Sequence, residues 1–321
     1  VATLEGPDIA EEFIAMVEEE GARFGSGLFG SRAMTGRLSA GELAGNTDAD
    51  GITTVSPTYS REIQTPEHGA GLDHLLRQRS STVVGILNGV DYAEWSPETD
   101  RHIPHKFSAQ DLSGKERDKE VLLGKLGLPY QPGVPLLGVV SRLASQKGLD
   151  LLLDVIPWVL QRHGVQLVVL GSGDPRLAGR FSTLQHTFPR QVCFYDGFSN
   201  ELAHLIEAGA DIFLMPSRYE PCGLNQMYSL RYGTVPIVRR TGGLADTVEE
   251  WDGRAGTGTG FLFDAFRGDA FLNAVARALG AWRDEKAWAK LVQNGMAQDF
   301  SWEKQVRRYE ALYARVLGRG A

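Results

Sequence analysis

At four places in this 321-residue chain, charged residues or glycines stand where an apolar strand gives way to a helix. After "LLGVV" comes Ser141-Arg142-Leu143-Ala144-Ser145-Gln146-Lys147-Gly148, in which Arg142 and Lys147 flank a short loop that opens a helix. Cationic side chains and helix N–H groups can converge there on a diphosphate. After "QLVVL" comes Gly171-Ser172-Gly173-Asp174, where Gly171 and Gly173 let backbone approach a ligand closely. After "IFLM" comes "PSRYEPCGLN", which puts Glu220 in a loop just before a helix. The fourth string, Arg239-Arg240-Thr241-Gly242-Gly243, again joins basic residues to a glycine pair ahead of a helix. Each has an ordinary reading: surface Arg and Lys are solvated, glycines make turns, and a carboxylate at Glu220 complements a helix dipole. Those readings do not explain why all four fall on one edge of a sheet.

The elements that carry these loops follow from periodicity. Ile212-Phe213-Leu214-Met215, stopped by Pro216, suits a strand buried on both faces. Leu224, Met227, Tyr228 and Leu230 keep helical spacing, Gly233 offers the stop, and Val235 to Val238 starts the next strand. Strands "PLLGVV", "QLVVL" and "VCFYD" alternate with amphipathic helices "GLDLLLDVIPWVLQRHG", kinked at Pro157, "DPRLAGRFSTLQHTF" and "ELAHLIEAGA". This alternation predicts an α/β fold with a doubly wound parallel sheet, which binds ligands outside the carboxyl ends of its strands. The front is less regular. Asp8 to Glu20 reads as a helix capped by Asp8, with Ile9, Phe13, Ile14 and Val17 on one face, and Gly21 to Asp50 has no clear period. "ITTVSP" and "STVVGILNGVD" read as strands; a polar, proline-bearing connection from Asp91 to Val134 holds one charged helix around Gly114 to Leu126.

Composition removes several function classes. A net charge of −7 with no Lys/Arg block argues against nucleic acid. Two cysteines, Cys193 and Cys222, make no disulfide framework and fit a reducing cytoplasm, and no apolar run reaches spanning length. No cluster has metal-ligand spacing, so no metal or organic cofactor is expected. Cys222 reads first as a small packing residue.

Several strings in order, "VSPTYSREIQTPEHGAGLDHLL", "GILNGVDYAEWSPETD", "SRLASQKGLDLL", "PSRYEPCGLNQMYSLRYGTVPIVRRTGGLADTV" and "FSWEKQVRRYEALY", resemble the bacterial glycogen synthases and plant starch synthases from about Gly51 onward. The resemblance implies the GT-B fold, with two Rossmann-like domains, and retaining transfer of glucose from ADP-glucose to the non-reducing end of an α-1,4-glucan. It implies that Glu220 faces the donor glucose and stabilises positive charge as the glycosidic bond breaks. Arg142 and Lys147 would contact the diphosphate. Asn88 would sit at the hinge, and Phe198 would replace the usual tyrosine against the adenine. Cys222, Gly223 and Leu224 would help line the donor pocket, with Thr241, Gly242 and Gly243 near the phosphate and sugar.

The chain also departs from that family. Tyr228 stands eight positions after Glu220, as in the synthases, where many retaining GT-B enzymes have a second glutamate. The family's Lys-x-Gly-Gly-Leu string is absent, "TGGLAD" belongs to the later domain, and His68 is not the family's active-site histidine. The expected organisation is therefore an incomplete N-terminal, acceptor-side domain over 1–87, with 1–50 unassigned, a nucleotide-sugar domain over 88–301, and a helix over 302–321 returning to the first. Two functions follow: a glucosyltransferase that belongs to a longer chain or is completed by a protein partner, or a non-catalytic ADP-sugar or glucan-binding module.

Overall fold

The computed structural model describes residues 13–15 and 51–316. They group in two compact units, 13–15, 51–89, 221–223 and 300–316 in the first and 90–220 and 224–299 in the second.

In the first unit a parallel sheet runs in the order β1 (Phe13–Ala15), β2 (Gly51–Thr54), β3 (Val83–Gly85). Phe13–Ala15 is therefore a strand, not part of the helix expected over Asp8 to Glu20. It pairs in register with Gly51, Ile52 and Thr53, and that distant edge supplies backbone partners which local apolar spacing cannot reveal. The remainder of that expected helix lies outside the described residues. Ser56 accepts from the Tyr59 N–H at 3.0 Å and starts α1 (Pro57–Glu62), with Pro57 at the first helical position. Helix α2 (Asp73–Gln78) follows, and its Leu76 closes a small core with Ile52, Tyr59 and Ile63.

The second unit begins with a connection and α3 (Ser113–Lys125), then alternates β4 (Leu136–Val140), α4 (Leu149–His163), β5 (Gln166–Gly171), α5 (Pro175–Thr187), β6 (Val192–Asp196), α6 (Asn200–Gly209), β7 (Ile212–Met215), α7 (Asn225–Arg231), β8 (Val235–Arg239), α8 (Gly242–Thr247) and β9 (Phe261–Phe263). Helices α9 (Gly268–Trp282) and α10 (Glu285–Met296) close it. All six strands are parallel, in the order β6-β5-β4-β7-β8-β9. Leu167 and Val169 of β5 join one core with α4, α5, α9 and α10, while Val168 and Leu170 join another with α3 and α6. Burial on both faces is why these strands read as unbroken apolar runs. Helix α4 continues through Pro157. The last helix, α11 (Trp302–Val316), belongs to the first unit; Gln305 and Leu312 are buried, and Trp302, Val306 and Tyr313 are exposed.

The polar connection after Gly89 is fastened by aromatic and charged contacts. Trp95 stacks on His204 at 3.6 Å and on Tyr228 at 3.9 Å between ring centroids. Asp100 accepts from the Tyr232 hydroxyl at 2.5 Å and pairs with His204 Nδ1 at 2.8 Å. Burial alone would raise the Asp100 pKa, but the bonds from His204 and Tyr232 outweigh it and hold the carboxyl below its usual value.

A second polar group lies at the amino ends of the strands. Lys119 Nζ meets Asp211 Oδ2 at 2.8 Å, and the same oxygen accepts from the Leu136 N–H at 2.7 Å. Lys115 reaches Ala208 O at 2.9 Å and Thr234 Oγ1 at 2.6 Å. Lys115 is half-buried, and desolvation of its ammonium lowers its pKa to about 8. Glu207 is buried; Ser229 Oγ donates to its Oε2 at 2.7 Å, while its Oε1 has no hydrogen-bond partner among the described residues. Desolvation pushes the Glu207 pKa up to about 8 from 4.5, against the opposing effects of Ser229 and Lys115. Between about pH 5 and 8 the folded chain keeps a proton that the unfolded chain has released, so stability falls as pH rises through this window. Glu207→Gln removes that dependence, and urea midpoints measured at pH 5, 6.5 and 8 should fall more steeply for wild type than for the variant.

Candidate functional site

The strand order fixes where a ligand can enter. From β4 the chain crosses to β5 on one side, and from β7 it crosses to β8 on the other, so the loops after β4 and β7 part between two neighbouring strands. This is the topological switch point of the sheet, and its carboxyl end opens a crevice. Arg142 and Lys147 lie in the first of these loops and Glu220 in the second.

Pro216 ends β7, and the chain turns so that the Arg218 N–H donates to Gln146 O at 2.8 Å. Opposite, Ser145–Lys147 forms a single 3-10 turn. That turn buries Lys147, whose Nζ donates to Glu220 Oε1 at 3.0 Å and Oε2 at 2.9 Å. Ser217 Oγ donates to Glu220 Oε2 at 3.0 Å. The two side chains are 8% and 1% exposed, so both charges have left bulk water, and such a pair holds only with close geometry and further hydrogen bonds. The Glu220 backbone is held as well, because its carbonyl accepts from the Gly243 N–H at 3.0 Å in the first turn of α8.

The other expected residues fall into four groups. Gly171 and Gly173 lie against the Arg142 loop: the Leu143 N–H donates to Ser172 O and the Asp174 N–H to Leu143 O, each at 2.7 Å. A Cβ on Gly171 would stand 2.1 Å from Ser141 O, and one on Gly173, at φ +145°, would stand 2.5 Å from Leu143 O. These glycines thus have a structural requirement independent of any ligand. Thr241 is buried and extended ahead of α8, Gly242 follows at φ +44°, and Leu224 is half-buried ahead of α7. Arg142 is exposed, its Nη2 lying 3.5 Å from Gln146 Oε1, and Phe198, between β6 and α6, is 83% exposed. Asn88, Cys222 and Gly223 group with the first unit, and Cys222 is buried.

Arg239 and Arg240 point to a structural duty. Arg239 Nε donates to Asp264 O at 3.0 Å, its Nη1 donates to Arg218 O, and Arg240 pairs with Asp264 at 2.8 Å. Sequence reasoning missed Ser217, which lies three residues before Glu220 in the same string. Its type and spacing were visible, but nothing local shows that its hydroxyl turns toward the carboxylate.

The chain is similar to known proteins along most of its length. Residues 128–295 match the family described as "Glycosyl transferases group 1", and residues 27–78 match "Starch synthase catalytic domain". The second match reaches back to residue 27, beyond the strings that carry the resemblance in the sequence. A glycogen synthase of Anaeromyxobacter dehalogenans is 56% identical over 277 residues, 86% of this chain and 57% of that protein. One of Myxococcus xanthus is 54% identical over 270 residues, covering 84% and 55%. The chain thus spans little more than half the length of these curated relatives. Among solved structures, the catalytic domain of starch synthase IV from Arabidopsis thaliana, bound to ADP and acarbose, superposes with a TM-score of 0.81 at 38% identity, over 87% of this chain and 58% of that one.

The buried pair makes a direct stability prediction. Lys147→Ala removes the cation facing a buried carboxylate and should cost about 3 kcal/mol at neutral pH. Adding Glu220→Gln should regain most of that loss, because the remaining group no longer carries charge. Chemical denaturation of wild type, Lys147→Ala and the double variant at pH 7 measures both steps; a double variant less stable than Lys147→Ala would contradict the pairing.

Proposed function

Because this chain belongs to the group 1 glycosyl transferases, in the glycogen synthase and starch synthase family with the GT-B fold, we propose that it carries the donor half of a retaining glucosyltransferase. It takes ADP-glucose and extends the non-reducing end of an α-1,4-glucan. The observation that carries this reading is the buried Lys147–Glu220 pair at the sheet's switch point, where strand order opens a crevice.

The chemistry divides between the two ends of the donor. The exposed guanidinium of Arg142 and the ammonium of Lys147 sit where the diphosphate enters, and they neutralise charge that grows on it as it leaves. When the bond from the anomeric carbon to the diphosphate oxygen breaks, its electron pair stays with ADP. The sugar carbon is left with positive character, and Glu220, oriented by Ser217, stabilises it through the field of its carboxylate. The acceptor's 4-hydroxyl forms the new bond on the same face and releases its proton to the departing phosphate oxygen. Two side-chain cations carry the electrostatic task, and the scheme draws on no metal or organic cofactor. Phe198 offers an exposed ring on which adenine can stack.

A second reading, a donor-binding module without turnover, draws on the 57% coverage of the relatives. GT-B transfer needs a cleft closed between two domains to keep water from the sugar. We therefore expect the 321-residue chain by itself to bind ADP but to transfer glucose to glycogen very slowly. Titration calorimetry with ADP tests the binding, and labelled ADP-glucose with glycogen tests the transfer; label reaching the polymer at an ordinary enzymatic rate would show that this chain suffices. In a longer protein carrying this sequence, Glu220→Gln should lower the transfer rate by on the order of a hundredfold while ADP affinity changes little. A Glu220→Gln enzyme with unchanged rate would return the carboxylate to a structural role.

A further inference from the structure

Arg218 lies two residues before Glu220, half-exposed, and five contacts join it to the segments around the pair. Its N–H donates to Gln146 O at 2.8 Å, and its Nε donates to Ser145 O at 3.1 Å. Its Nη2 pairs with Asp150, in the first turn of α4. Its guanidinium lies over the Phe266 ring, 4.0 Å from the centroid, and its carbonyl accepts from Arg239 Nη1. Two of these bonds end on Ser145 and Gln146, the residues immediately before Lys147. At Gly148, immediately after it, φ is +64°, and a Cβ would stand 1.9 Å from Pro216 O. The turn that carries Lys147 is therefore pressed against the loop that carries Glu220, and Arg218 fastens the two.

We propose that Arg218 is a positioning residue for the donor site, holding the Lys147 turn and the Glu220 loop in register so that the ammonium stays at the diphosphate end of the crevice. It acts through Lys147 rather than on the ligand. Its planar fork is directed at Ser145 O and the Asp150 carboxylate while its face covers Phe266, a combination that a lysine cannot reproduce. The ligand arm of the test rests on the donor reading above; a second arm needs no ligand.

If Arg218 acts through Lys147, Arg218→Ala and Lys147→Ala each weaken ADP binding by about tenfold or more, the range of a lost charge-assisted contact. The double variant should then bind within about twofold of Lys147→Ala, because the second change removes nothing that the first has left. Arg218→Lys should fail to restore wild-type affinity. Arg180→Ala, which removes a surface cation paired with Asp154 at 2.6 Å, should leave ADP binding unchanged. Calorimetry on chains confirmed as folded separates this from a general loss of structure. Wild-type ADP affinity in Arg218→Ala, or losses that multiply in the double variant, would overturn the proposal. Should the wild-type chain bind no ADP, the donor reading fails, and the unfolding cycle between the same two variants decides: a double variant that loses less than the sum of the two midpoint shifts supports the brace, and a full sum overturns it.

Discussion

Burying an ammonium against a carboxylate constrains everything around it. The pair of Lys147 and Glu220 is held at 2.9 Å with almost no exposure, although the two residues stand 73 positions apart in the chain. Desolvation works against such a pair unless the charges meet at close range and further donors complete the carboxylate. The surrounding backbone meets that demand. Ser217 supplies a third hydrogen bond, the Gly243 N–H fixes the Glu220 carbonyl, and Arg218 ties the two loops by main chain and side chain together.

The same demand explains the glycines along this edge. Gly148, Gly171 and Gly173 each stand where a Cβ would collide with a backbone oxygen of a neighbouring loop. Their first duty is to let loops pack against one another at van der Waals contact. A ligand that reaches this edge meets loops already braced, so binding spends little of its free energy on ordering them.

The two edges of the large sheet bury polar groups with different consequences. At the carboxyl edge the charges face each other across the switch point, where strand order leaves a crevice. At the amino edge, Lys119 and Asp211 join α3 to the start of β4 and β7, while Glu207 sits buried with its pKa raised. The connection after Gly89 is fastened in a third way, with Trp95 between His204 and Tyr228. Tyr228, which attracts notice as the residue eight positions after Glu220, serves this packing through its ring.

The sequence by itself determined the α/β class, most strands and helices of the second unit, and the loops on which Arg142, Lys147 and Glu220 lie. Their patterns are local: apolar runs of strand length, helical spacing, and the breaks at Pro216 and Gly233. Tertiary structure alone decided what those side chains meet. No spacing rule joins Lys147 to Glu220, turns Ser217 toward a carboxylate, or commits Arg218 to Ser145 and Asp150, because each depends on β4 and β7 lying side by side. The strand at Phe13–Ala15 makes the same point from the other side. Its residues fit helical spacing, yet it runs extended because β2 offers an edge with which it can pair. Periodicity records which face of a segment is apolar, whereas the partner of a buried charge or an unpaired strand edge is set by distant chain brought near.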